Sequence, residues 1–169
     1  MAFTFKRAER MQLKLRLALI GPSGAGKTYS ALRLATGLVG GKAPGKIALI
    51  DTENRRGEYY ADEFEYDTLN FEPPFAPERY VEAIHAAEEA GYEVVIIDSA
   101  SHEWMGPGGI LDIKDKMPGG NDYVKWGTLT PRHDAFISAI VRCKVHVIVC
   151  LRGKDQYILE TNDKGKQAP

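Results

Sequence analysis

The segment that most constrains the fold of this chain is GPSGAGKT at residues 21–28, here called the phosphate loop. Glycines let successive backbone N–H groups converge on phosphate oxygens, and the dipole of a following helix favours an anion there. The apolar run LRLALI before the loop predicts a strand, and a helical pattern starts at Lys27. Strand, loop and helix in this order are the context that a triphosphate site requires. The sequence therefore predicts binding of a nucleoside triphosphate.

The residues of the loop have different expected roles. Lys27 can reach the β- and γ-phosphates, and Thr28 can place its hydroxyl on a magnesium ion, so ATP and Mg²⁺ are the expected ligands. The complete set of predicted nucleotide-binding residues is Gly21, Pro22, Ser23, Gly24, Ala25, Gly26, Lys27, Thr28 and Tyr29.

The rest of the chain alternates between strand and helix patterns. Strands are predicted at 13–20, 46–51, 93–98 and 145–151, with a short one at 66–71, and helices at 27–39, 77–90 and 131–142. Two of these strands are apolar on nearly every residue, as in sheets covered on both faces. We therefore predict one α/β domain over residues 1–169, a three-layer sandwich with a mainly parallel sheet, of the P-loop NTPase type.

Two features complete this prediction. Thr130 and Pro131 are expected to cap and open the helix at 131–142. Residues 105–128 contain many glycines and two prolines, and we expect them to form an irregular excursion with at most one short helix.

Asp98 is the second candidate for the magnesium site. It follows four β-branched residues, so its carboxylate is expected at the carboxyl end of a buried strand, where open α/β sheets bind ligands. A carboxylate there can bind the water shell of the magnesium ion opposite Thr28.

The residue that activates water is less direct to assign, because Ser99 and not an acid follows Asp98. Glu53 lies just past the second strand, at the same edge of the sheet, and can orient or deprotonate water for attack on the γ-phosphate. Glu103 is the alternative. A third possibility is that neither glutamate is catalytic and the chain only binds nucleotide.

Composition excludes several other classes of protein. No apolar run approaches the roughly 20 residues of a membrane span, and the first residues lack an export signal, so we expect a cytoplasmic protein without a membrane partner. The formal charge of −1 gives no global attraction to nucleic acid. Cys143 and Cys150 are expected to be buried reduced thiols, and the four histidines show no zinc spacing.

These motifs together resemble a known family. GPSGAGKT, ALIDTE at the end of the second strand and VVIIDS at residues 94–99 are similar to the core of RecA-type ATPases. The segments DSASHEW, WGTLTPRHDAF and VIVCLRGKDQYILETNDKGK extend the likeness to phage and prophage RecA-like nucleotide-binding proteins, which include single-strand annealing proteins. The resemblance covers nearly the whole chain.

The resemblance implies an ATPase that binds single-stranded DNA and promotes annealing in recombination, as a homo-oligomer and with a possible recombination protein partner, in the bacterial host cell if phage-encoded. It places Lys27, Glu53 and Arg152 in catalysis. Arg152 lies where such proteins sense the γ-phosphate and where a DNA-binding loop begins, and a guanidinium can stabilise transition-state charge or hold a DNA phosphate.

The alternatives are a P-loop small-molecule kinase and a nucleotide-gated binding module with little turnover. A kinase usually has an arginine-bearing lid, whereas the pair Arg55 and Arg56 follows the second strand without a recognisable lid pattern. Family sequences usually continue past residue 166. We therefore expect a core shortened at its C-terminal end, in which the predicted strand 156–160 and the turn at 162–165 lack a partner strand.

Aromatic side chains give a further hypothesis for DNA. Tyr123 and Trp126 flank Lys125 after the glycine-rich segment, and exposed rings there can stack on bases. His102 with Trp104 is the weaker candidate. Anchoring of the loop to the core is the structural alternative for all of these rings.

Overall fold

The computed structural model describes residues 5, 7, 13–42, 44–153, 160–161 and 167–168. Its main sheet has five parallel strands in the spatial order β1-β5-β4-β2-β3. The strands are β1 (Arg16–Gly21), β2 (Ile47–Asp51), β3 (Asp67–Asn70), β4 (Val94–Asp98) and β5 (His146–Arg152). All the predicted strands of this sheet are therefore confirmed, each to within a few residues.

Helices cover both faces of the sheet. They are α1 (Lys27–Leu38), α2 (Pro77–Glu89), α3 (Ser101–Met105), α4 (Ile110–Lys116) and α5 (Asp122–Arg142), with a 3₁₀ helix at Arg56–Tyr60. Side chains of the buried strand β4 alternate between the two faces. Val94 and Ile96 pack in the apolar cluster of α1, whereas Val95 and Ile97 pack in the cluster of α2 and α5. The predicted three-layer α/β sandwich of the P-loop NTPase type is confirmed.

The start of α5 was predicted wrongly. The helix begins at Asp122 and its N-cap is Asn121, whose side chain accepts a hydrogen bond from the Val124 N–H at 3.0 Å. Pro131 therefore lies inside the helix instead of opening it. Buried Leu129 and Phe136, one on each side of the proline and seven residues apart, keep one face of the helix in the core.

Residues 105–128 are also more regular than predicted. They contain α4 and the first part of α5, so glycines and prolines here separate short helices instead of preventing them. The positive φ angles of Gly108, Gly119 and Gly120 mark the turns between these elements.

At the C-terminal end, β6 (Glu160–Thr161) pairs antiparallel with β7 (Gln167–Ala168). The predicted strand 156–160 lies mostly outside the described residues, as does the turn at 162–165. The expectation that this strand lacks a partner is wrong for its last residue, Glu160. Both cysteines are free and buried, as predicted. Within the described ranges, no helix is long and apolar enough to cross a bilayer.

Candidate nucleotide site

The phosphate loop joins the end of β1 to the start of α1. Gly24 and Gly26 have φ angles of 80° and 77°, in the left-handed region where a side chain is strained. Gly26 is also the N-cap of α1, so the loop ends directly on the positive end of the helix dipole. The loop therefore has the left-handed glycines and the helix N-terminus that the sequence predicts.

A cavity of about 380 Å³ opens above the loop. Its lining residues come from the loop, from the ends of β2 and β4, and from the 3₁₀ helix. They are Ser23, Gly24, Gly26, Lys27, Thr28, Glu53, Arg56, Tyr59, Tyr60 and Asp98. Seven of these ten residues were predicted as site residues from the sequence, and the fold brings them together from separate elements.

Four predicted nucleotide-binding residues lie outside this lining. Gly21, Pro22 and Ala25 form the body of the loop, and the Ala25 N–H donates to the Pro22 carbonyl at 3.3 Å. The Tyr29 ring packs edge-on against Tyr60 and Phe64, with ring centroids 5.8 and 5.3 Å away. Tyr29 thus supports a cavity wall from behind.

Lys27 carries the positive charge of the loop. Its ammonium group donates to the Gly21 carbonyl at 3.0 Å and to the Pro22 carbonyl at 2.8 Å. These two carbonyl groups hold the ammonium group beside the loop, in the lining of the cavity. A phosphate oxygen can take the place of one carbonyl as the hydrogen-bond acceptor of Lys27.

Thr28 and Asp98 meet directly, with the Thr28 hydroxyl donating to Asp98 Oδ2 at 2.5 Å. Asp98 is 5% exposed, and this burial raises the pKa of its carboxyl group, helped by the charges of Glu53 and Asp51 and opposed by Thr28 and Lys27. A buried carboxylate beside a hydroxyl offers the oxygen ligands that Mg²⁺ prefers. The residues present therefore fit a magnesium ion.

Glu53 and Arg152 also meet, across the carboxyl ends of β2 and β5. Nε and Nη2 of Arg152 lie 2.9 and 2.7 Å from the same oxygen, Oε1 of Glu53. The other oxygen, Oε2, lies 3.6 Å from Nη1 of Arg56. Glu53 lines the cavity, whereas Arg152 lies outside its lining and contacts Glu53.

Glu103, the alternative base, lies elsewhere. Its carboxylate is 1% exposed and contacts Nδ1 of His133 at 3.0 and 3.1 Å, on the α5 side of the sheet. It lies outside the lining of the nucleotide cavity. Burial raises the pKa of the Glu103 carboxyl group, while the hydrogen bond and charge of His133 oppose this shift.

A buried polar network lies under the site and was missed in the sequence. The Thr52 hydroxyl accepts from the Ser99 N–H at 2.7 Å and lies 2.7 Å from Nδ1 of His102. The Ser101 hydroxyl accepts from the Arg152 N–H at 2.8 Å. These short polar residues tie the ends of β2, β4 and β5 together, and their only sequence signal was their place after predicted strands.

The segment after β2 supplies the cavity residues that sequence reasoning missed. Arg56, Tyr59 and Tyr60 line the cavity, and the sequence analysis predicted no helix or strand for this segment. Their 3₁₀ helix has five residues, which is too short for a periodic apolar pattern to reveal.

The aromatic candidates for DNA contact separate into two groups. Trp126 stacks on Trp104, with ring centroids 5.7 Å apart and planes 13° apart, and Nζ of Lys114 lies 5.2 Å from the Trp126 ring centre. His102 stacks on the buried ring of Phe75, with ring centroids 4.9 Å apart, so one face of its ring is covered. Tyr123 is 86% exposed and keeps its ring faces open.

Comparison with known proteins agrees with this geometry. A family model described as an AAA domain matches residues 13–168. No curated protein matches the chain.

Proposed function

This chain belongs to the AAA domain family of P-loop nucleotide-binding domains, and we propose that it is an ATPase that binds and hydrolyses Mg-ATP. One observation carries the proposal. The phosphate loop, Asp98 and Glu53 come from three different elements, and all line one cavity at the carboxyl edge of the sheet. Positive charge, oxygen ligands and a carboxylate therefore surround the place where a triphosphate would lie.

The binding residues act first. In our proposal the loop N–H groups and the Lys27 ammonium hold the β- and γ-phosphates, and the Thr28 hydroxyl and the Asp98 carboxylate hold the magnesium ion. Magnesium, when bound, neutralises charge that develops on the phosphate oxygens. Tyr59 and Tyr60 offer ring surfaces in the same cavity, and an adenine base has an apolar face that fits them.

Glu53 is the proposed general base. Nε and Nη2 of Arg152 both bind Oε1, so Oε1 is held and Oε2 keeps its lone pairs for a water proton. The water oxygen then bonds to the γ-phosphorus as the bond to the β–γ bridging oxygen breaks, and ADP leaves with that electron pair. In this scheme Arg152 is a positioning residue, and its predicted contact with the γ-phosphate would require it to move from Glu53.

The finer parts of the proposal come from the resemblance to RecA-like phage proteins. We propose that nucleotide binding is coupled to single-stranded DNA binding and annealing, in a cytoplasmic homo-oligomer that a recombination protein can join. In this proposal the coupling runs through Arg152, which is the last residue of β5 and contacts Glu53 directly.

The test compares ATP hydrolysis by the parent chain and by Glu53→Gln, each with and without single-stranded DNA. We expect DNA to stimulate the parent chain, and we expect Glu53→Gln to bind ATP normally but to lose turnover by about a hundredfold or more. Glu103→Gln is the matched control and should hydrolyse like the parent. Equal hydrolysis with and without DNA would disprove the coupling.

Two other results would replace the proposal. Transfer of phosphate to a metabolite would identify a kinase. Tight ATP binding without turnover under any of these conditions would identify a nucleotide-gated binding module.

A further inference from the structure

Asp51, at the end of β2, organises the turn that carries Glu53. Its carboxylate is buried, with the residue 1% exposed, and it lies outside the cavity lining. Oδ1 accepts the N–H of Glu53 at 2.6 Å and Oδ2 accepts the N–H of Gly57 at 2.7 Å. Hydrogen bonds from backbone N–H groups to a carboxylate are strong, and these two close the turn at both ends.

These two hydrogen bonds to Glu53 and Gly57, here called the Asp51 clamp, stabilise a turn whose backbone is strained. Asn54 and Arg55 both have φ angles in the left-handed region, at 57° and 64°. Residues other than glycine adopt this region at a cost that the surrounding structure must offset. The two bonds of Asp51 span these residues.

Gly57 fits the clamp only because it lacks a side chain. A Cβ atom there would lie 2.3 Å from Cδ2 of Leu49 and 2.9 Å from Oδ2 of Asp51. The Gly57 carbonyl accepts a hydrogen bond from the Tyr66 hydroxyl. Gly57 is thus held on its N–H by Asp51 and on its carbonyl by Tyr66.

We propose that Asp51 is a positioning residue for ATP hydrolysis, which sets Glu53 over the cavity by holding both ends of the turn at residues 53–57. This inference rests on the proposed role of Glu53 as the base. Asp51 acts on the backbone of Glu53 and Arg152 acts on its carboxylate, so the two contacts fix the same side chain from opposite ends.

The experiment uses Asp51→Asn in the full chain. Asparagine keeps the shape but presents an NH₂ group to one of the two N–H donors, so one end of the turn loses its acceptor. We expect kcat to fall about tenfold to a hundredfold, since small displacements of a reacting group have effects of that size. We expect a smaller change in the dissociation constant of ATP, because the phosphate loop is untouched.

A double variant shows whether Asp51 acts through Glu53. In the Glu53→Gln background, Asp51→Asn should change the residual turnover by less than about threefold, because coupled residues are not additive. Asp112→Asn is the matched control, since the Asp112 carboxylate also accepts a backbone N–H, from Gly108 at 2.7 Å, away from the cavity. It should leave kcat unchanged.

Tyr66→Phe is a second variant that removes only a hydroxyl and tests the same clamp if Asp51→Asn does not fold. It should lower kcat several-fold, again only when Glu53 is present. Unchanged kcat in a folded Asp51→Asn, or an equal loss with and without Glu53, would overturn the inference while the proposed function stands. Normal turnover in Glu53→Gln alone would overturn both.

Discussion

The guanidinium of Arg152 holds the carboxylate of Glu53 by one oxygen, with Nε at 2.9 Å and Nη2 at 2.7 Å from Oε1. Binding through a single oxygen differs from the fork-to-fork arrangement in which each nitrogen takes its own oxygen. Among the residues that the structure describes, Oε2 makes one ion pair, with Nη1 of Arg56 at 3.6 Å. The pair therefore orients a carboxylate that can still accept a proton.

Replacement of Arg152 tests this orientation. Arg152→Ala should lower kcat about tenfold, because Glu53 gains rotational freedom and reaches the attacking water less often. Arg152→Lys should recover part of the loss, since its ammonium group can still bind Oε1 but has only one nitrogen and cannot fix the carboxylate as two guanidinium nitrogens do. Steady-state hydrolysis with saturating ATP gives both values.

An increase in kcat in place of the predicted decrease would be equally informative. A rise in turnover in Arg152→Ala would show that the arginine holds Glu53 back instead of presenting it to water. Arg132→Ala is a control for the loss of a paired arginine, because Arg132 binds Glu78 between α5 and α2, away from the cavity.

Most of the fold could be predicted because its signals are local. The strand β4 has an uninterrupted apolar sequence, and the phosphate loop carries its own glycines, so both were found with nearly correct limits. The start of α5 was missed because Pro131 matches a helix start, whereas the true cap is Asn121 in a glycine-rich stretch. Packing of Leu129 and Phe136 on one helix face overrides the local effect of the proline.

The site was predicted less completely because it depends on contacts between distant residues. Asp98 and Glu53 were placed at the correct edge by the rule for parallel sheets. The clamp of Asp51 on Gly57 was not visible, since a buried aspartate at a strand end looks like an ordinary turn residue in sequence. The sequence could not show that Glu103 lies away from the cavity. Glu103 comes five residues after Asp98, the last residue of β4, but its carboxylate contacts His133 of α5.

The contact between Thr28 and Asp98 predicts how nucleotide binding depends on magnesium. Thr28→Val removes the hydroxyl but keeps the shape, so we expect the Mg²⁺ concentration for half-maximal ATP binding to rise about tenfold. Titration of Mg²⁺ at fixed ATP measures this directly. Thr36→Val is the matched control in the same helix, because the Thr36 hydroxyl donates only to the Leu32 carbonyl at 2.8 Å. An equal effect of both variants would contradict the assignment of Thr28.

The buried Glu103 predicts a pH dependence of stability. Its pKa in the folded chain is raised above the ordinary value of 4.5 by burial, so the folded state keeps a proton that the unfolded chain has already lost. The stability from Glu103 is complete below the ordinary pKa and is lost as pH rises through the raised pKa.

The glutamine side chain of Glu103→Gln stays neutral at every pH, so this variant does not lose stability as pH rises through the raised pKa. The free energy of unfolding of the variant, relative to the parent, should therefore increase as pH rises above the ordinary pKa of 4.5 and through the raised pKa of Glu103. Urea unfolding at several pH values measures the difference. A difference that stays constant with pH, or moves in favour of the parent, would contradict this interpretation. Glu89→Gln, on the exposed side of α2, controls for the loss of a surface charge.

The exposed ring of Tyr123 predicts a contact with single-stranded DNA. The facing rings of Trp104 and Trp126 are stacked on each other, whereas Tyr123 is 86% exposed. A base that stacks on an aromatic side chain contributes about 1–3 kcal/mol, so Tyr123→Ala should weaken DNA binding about fivefold or more, and Tyr123→Phe should preserve it. Fluorescence anisotropy with a labelled oligonucleotide measures both variants in the presence of ATP. Equal weakening by alanine and phenylalanine would point to the hydroxyl instead of the ring, and unchanged binding in both would remove Tyr123 from the DNA surface.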